Sequence, residues 1–463
     1  MRRNIRRVAM IPAAGFALLC VFLGYWHVVQ APALRASQHN TRARERLEKI
    51  EPGEVLDTDG HTLLGVVRGG AEWKRTYPAG KYACHITGYN ARSGVQSSLR
   101  DVLLGIGAYE SPWSEFTEGP LAGNDVTLTV ELEAQKLATR LLRGRRGAVV
   151  ALEARSGEIL ALVSAPAYDP ERVLASDWDY QMFQEDPGKP EFNRALQGKY
   201  PPGSVMKVLT AATVVDLDRV ERTTQFDCDG KYRIDGAEIT CPRSHGTVTL
   251  DEALQVSCNT TFAKLGRYMT ADEFVDYVGR FRLLRGAGVP LPSSEGGVAE
   301  FTGDNRDVLL AETAFGQGEA LVTPMAIARM TLALANDGMV LAPHLVSRIT
   351  LPSGDVAFSA QMKEGARAVR AETARVVAGM MVGVVEEGTG RVARIDGVKV
   401  AGKTGSAENP HGRAHSWFTA FAPADNPQVV VTVVVENAGA GSEVAGPIVR
   451  EMMAHLLGRA GAI

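Results

Sequence analysis

The chain has few cysteines for its 463 residues: only Cys20, Cys84, Cys228, Cys241 and Cys258. That is too few for a disulfide scaffold, so the fold must rest on buried apolar area. The chain also lacks a bias of charge. Fifty basic residues face 53 acidic ones, a formal net charge of −3, and no polybasic tract follows the extreme N-terminus. Nucleic acid is therefore not an expected partner. There is no internal repeat and no low-complexity tract. With 45% hydrophobic and 22% charged residues the composition is that of a globular protein, which excludes wholesale disorder. The length suits two or three domains.

Only one long hydrophobic run occurs. Residues 8–29 contain no charged side chain, and Arg2, Arg3, Arg6 and Arg7 precede them. By the positive-inside rule, residues 1–7 are expected as a cytoplasmic tail and 8–30 as a transmembrane anchor, with everything beyond exported. The protein would then be a single-pass protein of the cytoplasmic membrane. The competing reading is a cleaved signal peptide ending at Ala31-Pro32-Ala33. The run is longer than a usual apolar signal region of about 7–15 residues, which favours the anchor. Cys20 has no lipobox before it and reads as lipid-facing; Trp26 and His27 fall at the outer interface.

Residues 38–51 are polar and read as a helical stalk. Short, Gly-rich segments then run to about Ala122, so residues 31–123 form a stalk and small pedestal module. Residues 124–463 read as the main domain. Apolar spacing predicts strands at 126–130, 147–152 and 159–163, helices at 131–142, 205–217, 250–265, 271–281, 324–335 and 371–385, then strands at 398–401, 416–421 and 429–435 and a closing helix at 446–457. Strands at both ends with helices between them predict an α+β domain with an antiparallel sheet flanked by helices.

Three short motifs carry chemistry. In Tyr200-Pro201-Pro202-Gly203-Ser204-Val205-Met206-Lys207, a helix starts near Ser204, and Ser204 and Lys207 share one face with Cβ atoms about 5–6 Å apart. A serine hydroxyl needs a base to become a nucleophile, and a lysine whose pKa is lowered by burial serves. Ser257-Cys258-Asn259 offers a hydroxyl for proton relay and an amide for a peptide substrate. Lys403-Thr404-Gly405 extends a strand, along which a substrate peptide would lie as an added strand with its carboxylate on Lys403 and Thr404. Singly, each also reads as a capping serine with a surface lysine, a polar loop, or an edge strand guarded by lysine. Their conjunction, in this order, is specific.

On these motifs the chain resembles the class B penicillin-binding proteins, along nearly its whole length. Gly147-Ala148-Val149, Tyr168-Asp169-Pro170, Asn193-Arg194-Ala195, Gly316-Gln317-Gly318, Glu387-Gly388-Thr389-Gly390 and Trp417-Phe418 look like further family landmarks. The resemblance implies a penicillin-binding-protein/serine β-lactamase-like transpeptidase fold with a dimerisation-like pedestal. It implies a serine D,D-transpeptidase that cross-links peptidoglycan stem peptides from a D-Ala-D-Ala donor and binds β-lactams covalently. Ser204, Lys207 and Ser257 would be catalytic, and Asn259, Lys403, Thr404, Gly405 and Ser406 would bind substrate, with the N–H groups of Ser204 and Ser406 as oxyanion hole. No cofactor is expected. A SEDS-type membrane glycosyltransferase is the implied partner. Pro52 and Gln96 depart from the pedestal's usual arginine and glutamate, which bears on the docking system rather than on catalysis.

Two other functions compete. A D,D-carboxypeptidase or β-lactamase would share the motifs, but no Glu-x-x-Leu-Asn stretch follows Asn259. A non-catalytic β-lactam sensor or division scaffold would be expected to have lost Ser204, Lys207 or Lys403. Cys228 and Cys241 flank a hairpin at 231–239 and allow a disulfide, a structural zinc site with His245 and Asp227, or free thiols. Cys258 reads as core, and His411 and His415 as a surface loop.

Overall fold

The computed structural model describes residues 2–26, 49–70, 72–106, 122–361, 365–410, 412–459 and 461. His27, Ala31-Pro32-Ala33, residues 38–48 of the expected stalk and His411 lie outside the described residues. Among the described residues no helix is long and apolar enough to cross a membrane.

A five-stranded antiparallel sheet forms the centre, in the order Ala401–Ala407, His415–Ala422, Val429–Val435, Gly147–Glu153, Ile159–Ala165. Its middle strand reads Val-Val-Val-Thr-Val-Val-Val and is buried throughout, as β-branched residues suit a strand covered on both faces. One face carries Trp417, Phe421, Val430 and Val434 against the helices Pro324–Ala335 and Ala371–Glu386. The other carries Phe418, Val431 and Val433 against Ile448, Val449, Met452 and Leu456 of the C-terminal helix Ala445–Arg459, with Ala134 and Ala138 of Leu132–Leu141 beside it. Each large side chain so buried contributes about 1.5–3 kcal/mol.

The N-terminal strands do not stand alone. A second sheet runs in the order Val356–Ser359, Val346–Thr350, Asp125–Leu128, Val55–Leu56, Thr62–Gly69, Glu72–Thr76. Val55–Leu56 pairs in parallel with Asp125–Leu128, which pairs antiparallel with Val346–Thr350. The boundary expected at 123/124 thus runs through one sheet, and Val55, Leu63 and Leu64 join the same core as the helices around Ser204.

Two expected elements change. The helix over 250–265 is broken into Leu250–Gln255 and Asn259–Leu265. The strand expected at 398–401 begins instead at Ala401 and runs through the Lys-Thr-Gly motif, because Ile395 and Val398 close a tight turn over Asp396-Gly397.

Between the central sheet and Pro324–Ala335 a chain of hydroxyls is fully buried. Thr331 Oγ1 donates to the Ile327 carbonyl at 2.9 Å, and 2.7 Å separates Thr331 from Thr419 and Thr419 from Thr432. Thr419→Val keeps the shape but leaves a neighbour without its partner. Urea unfolding of the purified variant is expected to show a loss of about 1–3 kcal/mol.

Candidate active site

The Gly203–Val205 3₁₀ turn leads into the helix Met206–Asp216, placing Ser204 at its entrance and Lys207 in its first turn. Three ties hold the turn. The Gly203 N–H donates to the Gly316 carbonyl at 2.9 Å, and Trp417 Nε1 donates to the Pro201 carbonyl at 3.1 Å. The third is close backbone approach. Gly203 has φ +55°, and a Cβ there would lie 2.8 Å from the Ser406 carbonyl oxygen. A Cβ on Gly316 would sit 1.7 Å from the Gly203 carbonyl oxygen. The turn is therefore wedged between the Lys403 strand and the Gly316 loop, with Gly203, the neighbour of Ser204, against the Ser406 carbonyl.

The break in the second helix has a plain cause. Cys258 N–H donates to the Ala253 carbonyl and Ser257 N–H to the Leu254 carbonyl, which is a Schellman cap. Its left-handed position is normally glycine; here it is Ser257, with φ +58°. A non-glycine residue there costs about 1–2 kcal/mol. In return the cap aims two oxygens of one residue at Lys207: its Nζ lies 2.7 Å from the Ser257 carbonyl and 3.2 Å from Ser257 Oγ. Asn259 Oδ1 accepts from the same Nζ at 2.7 Å, while Asn259 Nδ2 donates to the Thr240 carbonyl at 3.0 Å.

Lys403 completes the group from the sheet edge. Its side chain is fully buried, and Nζ donates to Ser257 Oγ and to the Thr404 carbonyl, each at 3.0 Å. It lies under the strand rather than along its free edge. Thr404 Oγ1 sits 2.8 Å from Thr389 Oγ1, a residue that sequence reasoning recorded only as part of a landmark. One hydroxyl, Ser257 Oγ, thus touches both lysines.

Burial disfavours charge on either amine. It lowers Lys207 to about 7, with the thiols of Cys258 and Cys241 opposing the shift. Lys403 falls well below the ordinary lysine range, first by burial and then by the nearby Lys207 charge. A serine beside a lysine of lowered pKa, with a second hydroxyl bridging to another amine, is equipped for acyl transfer.

A family model described as the penicillin binding protein transpeptidase domain matches residues 147–454. The chain is 31% identical to the peptidoglycan D,D-transpeptidase PbpA of Mycolicibacterium smegmatis over 99% of each protein. The chain belongs to the class B penicillin-binding proteins. It is also similar to MrdA of Acinetobacter baumannii, at 28% identity over 82% of this chain and 66% of that protein. Among solved structures it matches the D,D-transpeptidase domain from Eggerthella lenta with a TM-score of 0.81 and 32% identity, over 90% of this chain and all of that one. It matches penicillin-binding protein A of M. tuberculosis in its ceftriaxone acyl-enzyme complex with a TM-score of 0.81 and 29% identity, over 89% and 99%. The transpeptidase fold expected from the sequence is thereby established.

In this penicillin-binding protein the sulfur side chains gather behind Asn259. All described cysteines are free, so the Cys228–Cys241 disulfide is not formed. Ligand atoms of Cys228, Cys241, His245 and Cys258 all lie within 4.8 Å of one another. Asp227 instead accepts from Thr247 Oγ1 at 2.7 Å, and Cys258 takes the fourth place. Cys241 Sγ accepts from the Asn259 N–H at 3.1 Å, so the cluster touches the site directly. The signal for Cys258 was its position inside the Ser-x-Asn motif. His415 is half-buried at the start of an inner strand, with Nδ1 accepting from the Asn437 N–H at 3.1 Å, rather than in a surface loop.

Ser257→Gly suits the left-handed cap but removes the bridging hydroxyl. It is expected to keep or raise the melting temperature while penicillin acylation slows by about 10²–10⁴-fold. Ser257→Ala, by contrast, should lose stability as well. Thermal melts and stopped-flow acylation of both variants separate the two effects.

Proposed function

We propose that Ser204, Lys207 and Ser257 perform the D,D-transpeptidation that belongs to this family, with Asn259, Lys403, Thr404, Gly405 and Ser406 holding the donor. The observation that carries this reading is the Ser257 hydroxyl shared by two buried lysines beside the nucleophile turn. The two short contacts of Lys207 occupy two N–H groups of a neutral amine, and its lone pair, with Ser257 Oγ 3.2 Å from the nitrogen, takes the Ser204 proton. Ser204 Oγ attacks the D-Ala-D-Ala carbonyl, and the oxyanion forms between the N–H groups of Ser204 and Ser406. Ser257 passes a proton to the departing D-Ala nitrogen, leaving an ester on Ser204. An amine from a neighbouring stem peptide then attacks the ester, forming the cross-link and returning the proton to Ser204. Asn259, oriented by Lys207 and Thr240, keeps one N–H and one lone pair for the donor amide. The carboxylate of the terminal D-Ala lies at Thr404 and Ser406, over the positive potential of Lys403.

β-Lactams acylate the same serine. A fluorescent penicillin is expected to give a long-lived covalent adduct on intact-mass analysis, absent from Ser204→Ala; rapid turnover of the adduct would move the reading to a hydrolase. Because the base must be neutral, the acylation rate should rise with pH through about 7, the lowered pKa of Lys207. A flat profile between pH 6 and 8 would remove Lys207 from that role.

The N-terminal segment is proposed as the membrane anchor, with residues 1–7 inside and the catalytic domain outside, and a SEDS-type glycosyltransferase as the neighbour in the membrane. Support comes from the arginines that precede residue 8 and from Phe16, Leu18, Leu19, Val21 and Phe22, all exposed on the helix Arg2–Gly24.

Cys228, Cys241, His245 and Cys258 fit a structural zinc ion, since three thiolates and an imidazole are a common tetrahedral set. The ion would fix the Asn259 end of the site and take no part in chemistry. Purified protein is expected to carry about one zinc per chain by elemental analysis, and Cys228→Ser to lose it together with several degrees of melting temperature. A Cys241–Cys258 disulfide found by peptide mapping would overturn this.

A further inference from the structure

The nucleophile turn is braced by a polar hub whose carboxylate and two arginines lie outside the three motifs. Glu436 follows the central strand Val429–Val435 directly. Its Oε1 accepts from Tyr200 OH at 2.9 Å and from Arg194 Nε at 2.8 Å, and its Oε2 lies 3.1 Å from Arg146 Nε. Arg194 is almost fully buried, and its other nitrogens cap the carbonyls of Gly188, at 2.8 Å, and Lys189, at 3.2 Å. Tyr200 pairs through its backbone with Val322, and its ring meets His415 and Trp417 edge-on. Tyr200 stands four residues before Ser204, and Pro201, between them, is held by Trp417. The carboxylate of Glu436 thus joins the end of the central strand to Arg194 and Tyr200 in the segment that leads into the turn.

We infer that Glu436 is a positioning residue for acyl transfer, acting through Tyr200 to hold Ser204 at the sheet edge. The inference rests on Ser204 being the nucleophile. A largely covered carboxylate shared by two guanidinium groups and a phenol has little freedom, because the buried Arg194 and Tyr200 would be left unpaired if it moved. A phenol bonded to a carboxylate makes a shorter, stronger tie than one bonded to a neutral amide. Replacing the charge therefore loosens the turn without touching substrate. Displacement of a reacting atom by about 1 Å costs up to about 10²-fold in rate, whereas ground-state affinity depends on the donor's contacts with the Lys403 strand.

The test uses full-length protein in detergent and a fluorescent penicillin, with the acylation rate constant and the pre-covalent dissociation constant resolved by stopped flow. Glu436→Gln and Tyr200→Phe are each expected to slow acylation about ten- to hundredfold with the dissociation constant unchanged. The double variant should be no slower than the worse single one, because both remove the same tie. Unchanged rates in folded Tyr200→Phe, or independent effects that multiply in the double variant, would overturn the proposal. If Glu436→Gln fails to fold, Tyr200→Phe, which deletes a single hydroxyl, still decides between them. Ser204→Ala run alongside shows whether the adduct forms on Ser204 at all, so failure of the nucleophile assignment is distinguishable from failure of the brace.

Discussion

Two amines buried around one hydroxyl set the terms for the rest of the structure. Lys207 and Lys403 both contact Ser257 Oγ, so their nitrogens are no more than about 6 Å apart, and neither side chain reaches solvent. Two full charges at that separation repel by about 3 kcal/mol at an effective dielectric of about 20, on top of the cost of desolvating each. The arrangement is tolerable only if at least one amine is neutral, which is the state a general base needs. A bound donor would tip the balance further. Its carboxylate favours charge on Lys403, and a charged Lys403 in turn keeps Lys207 neutral.

Such a site needs groups from distant parts of the chain held to a few tenths of an ångström, and each is held by a different device. The Ser204 turn is wedged by glycine contacts with Ser406 and Gly316. Ser257 is held by a helix cap that accepts backbone strain at the one residue whose carbonyl and hydroxyl must face the same amine. Lys403 is held by register: its strand pairs without interruption from Ala401 to Ala407 against an inner strand that is itself pinned to the valine-rich centre. A slip of one residue would turn Lys403 away from Ser257.

Much of this was legible in the sequence. The three motifs contain Lys207, Ser257, Asn259 and Lys403, which meet at the site, and the apolar spacing located the sheet and its flanking helices. What escaped has physical reasons. The break at Ser257 was invisible because Leu250–Gln255 and Asn259–Leu265 continue one helical pattern, and a serine in a glycine position gives no warning. Burial of Lys403 was hidden because a lysine in an edge strand looks the same whether it faces solvent or a second lysine's hydroxyl bridge. The pedestal looked separate because its strands are short and local; Val55–Leu56 pairs with its neighbour Thr62–Gly69, and joins the rest of the sheet by pairing with Asp125–Leu128, far along the chain. Glu436 lies outside any local pattern, and only tertiary contact gives it and Cys258 their partners.

The remaining question is why an acyl-enzyme built this way should wait for an amine instead of yielding to water. The proposed base, Lys207, is fully buried, with both of its short hydrogen bonds committed to protein oxygens. It can take a proton from Ser204, one helical turn away, but no described carboxylate stands beside it to orient a water against the ester. An amine arriving on its own stem peptide brings its position with it and needs from the enzyme only a proton acceptor, which Lys207 regains once Ser257 has passed a proton to the leaving group. On the proposed mechanism, the preference for aminolysis comes from committing the buried base to protein oxygens. The firm hold on Lys207 by Ser257 and Asn259 is then as much a device against hydrolysis as it is one for acylation.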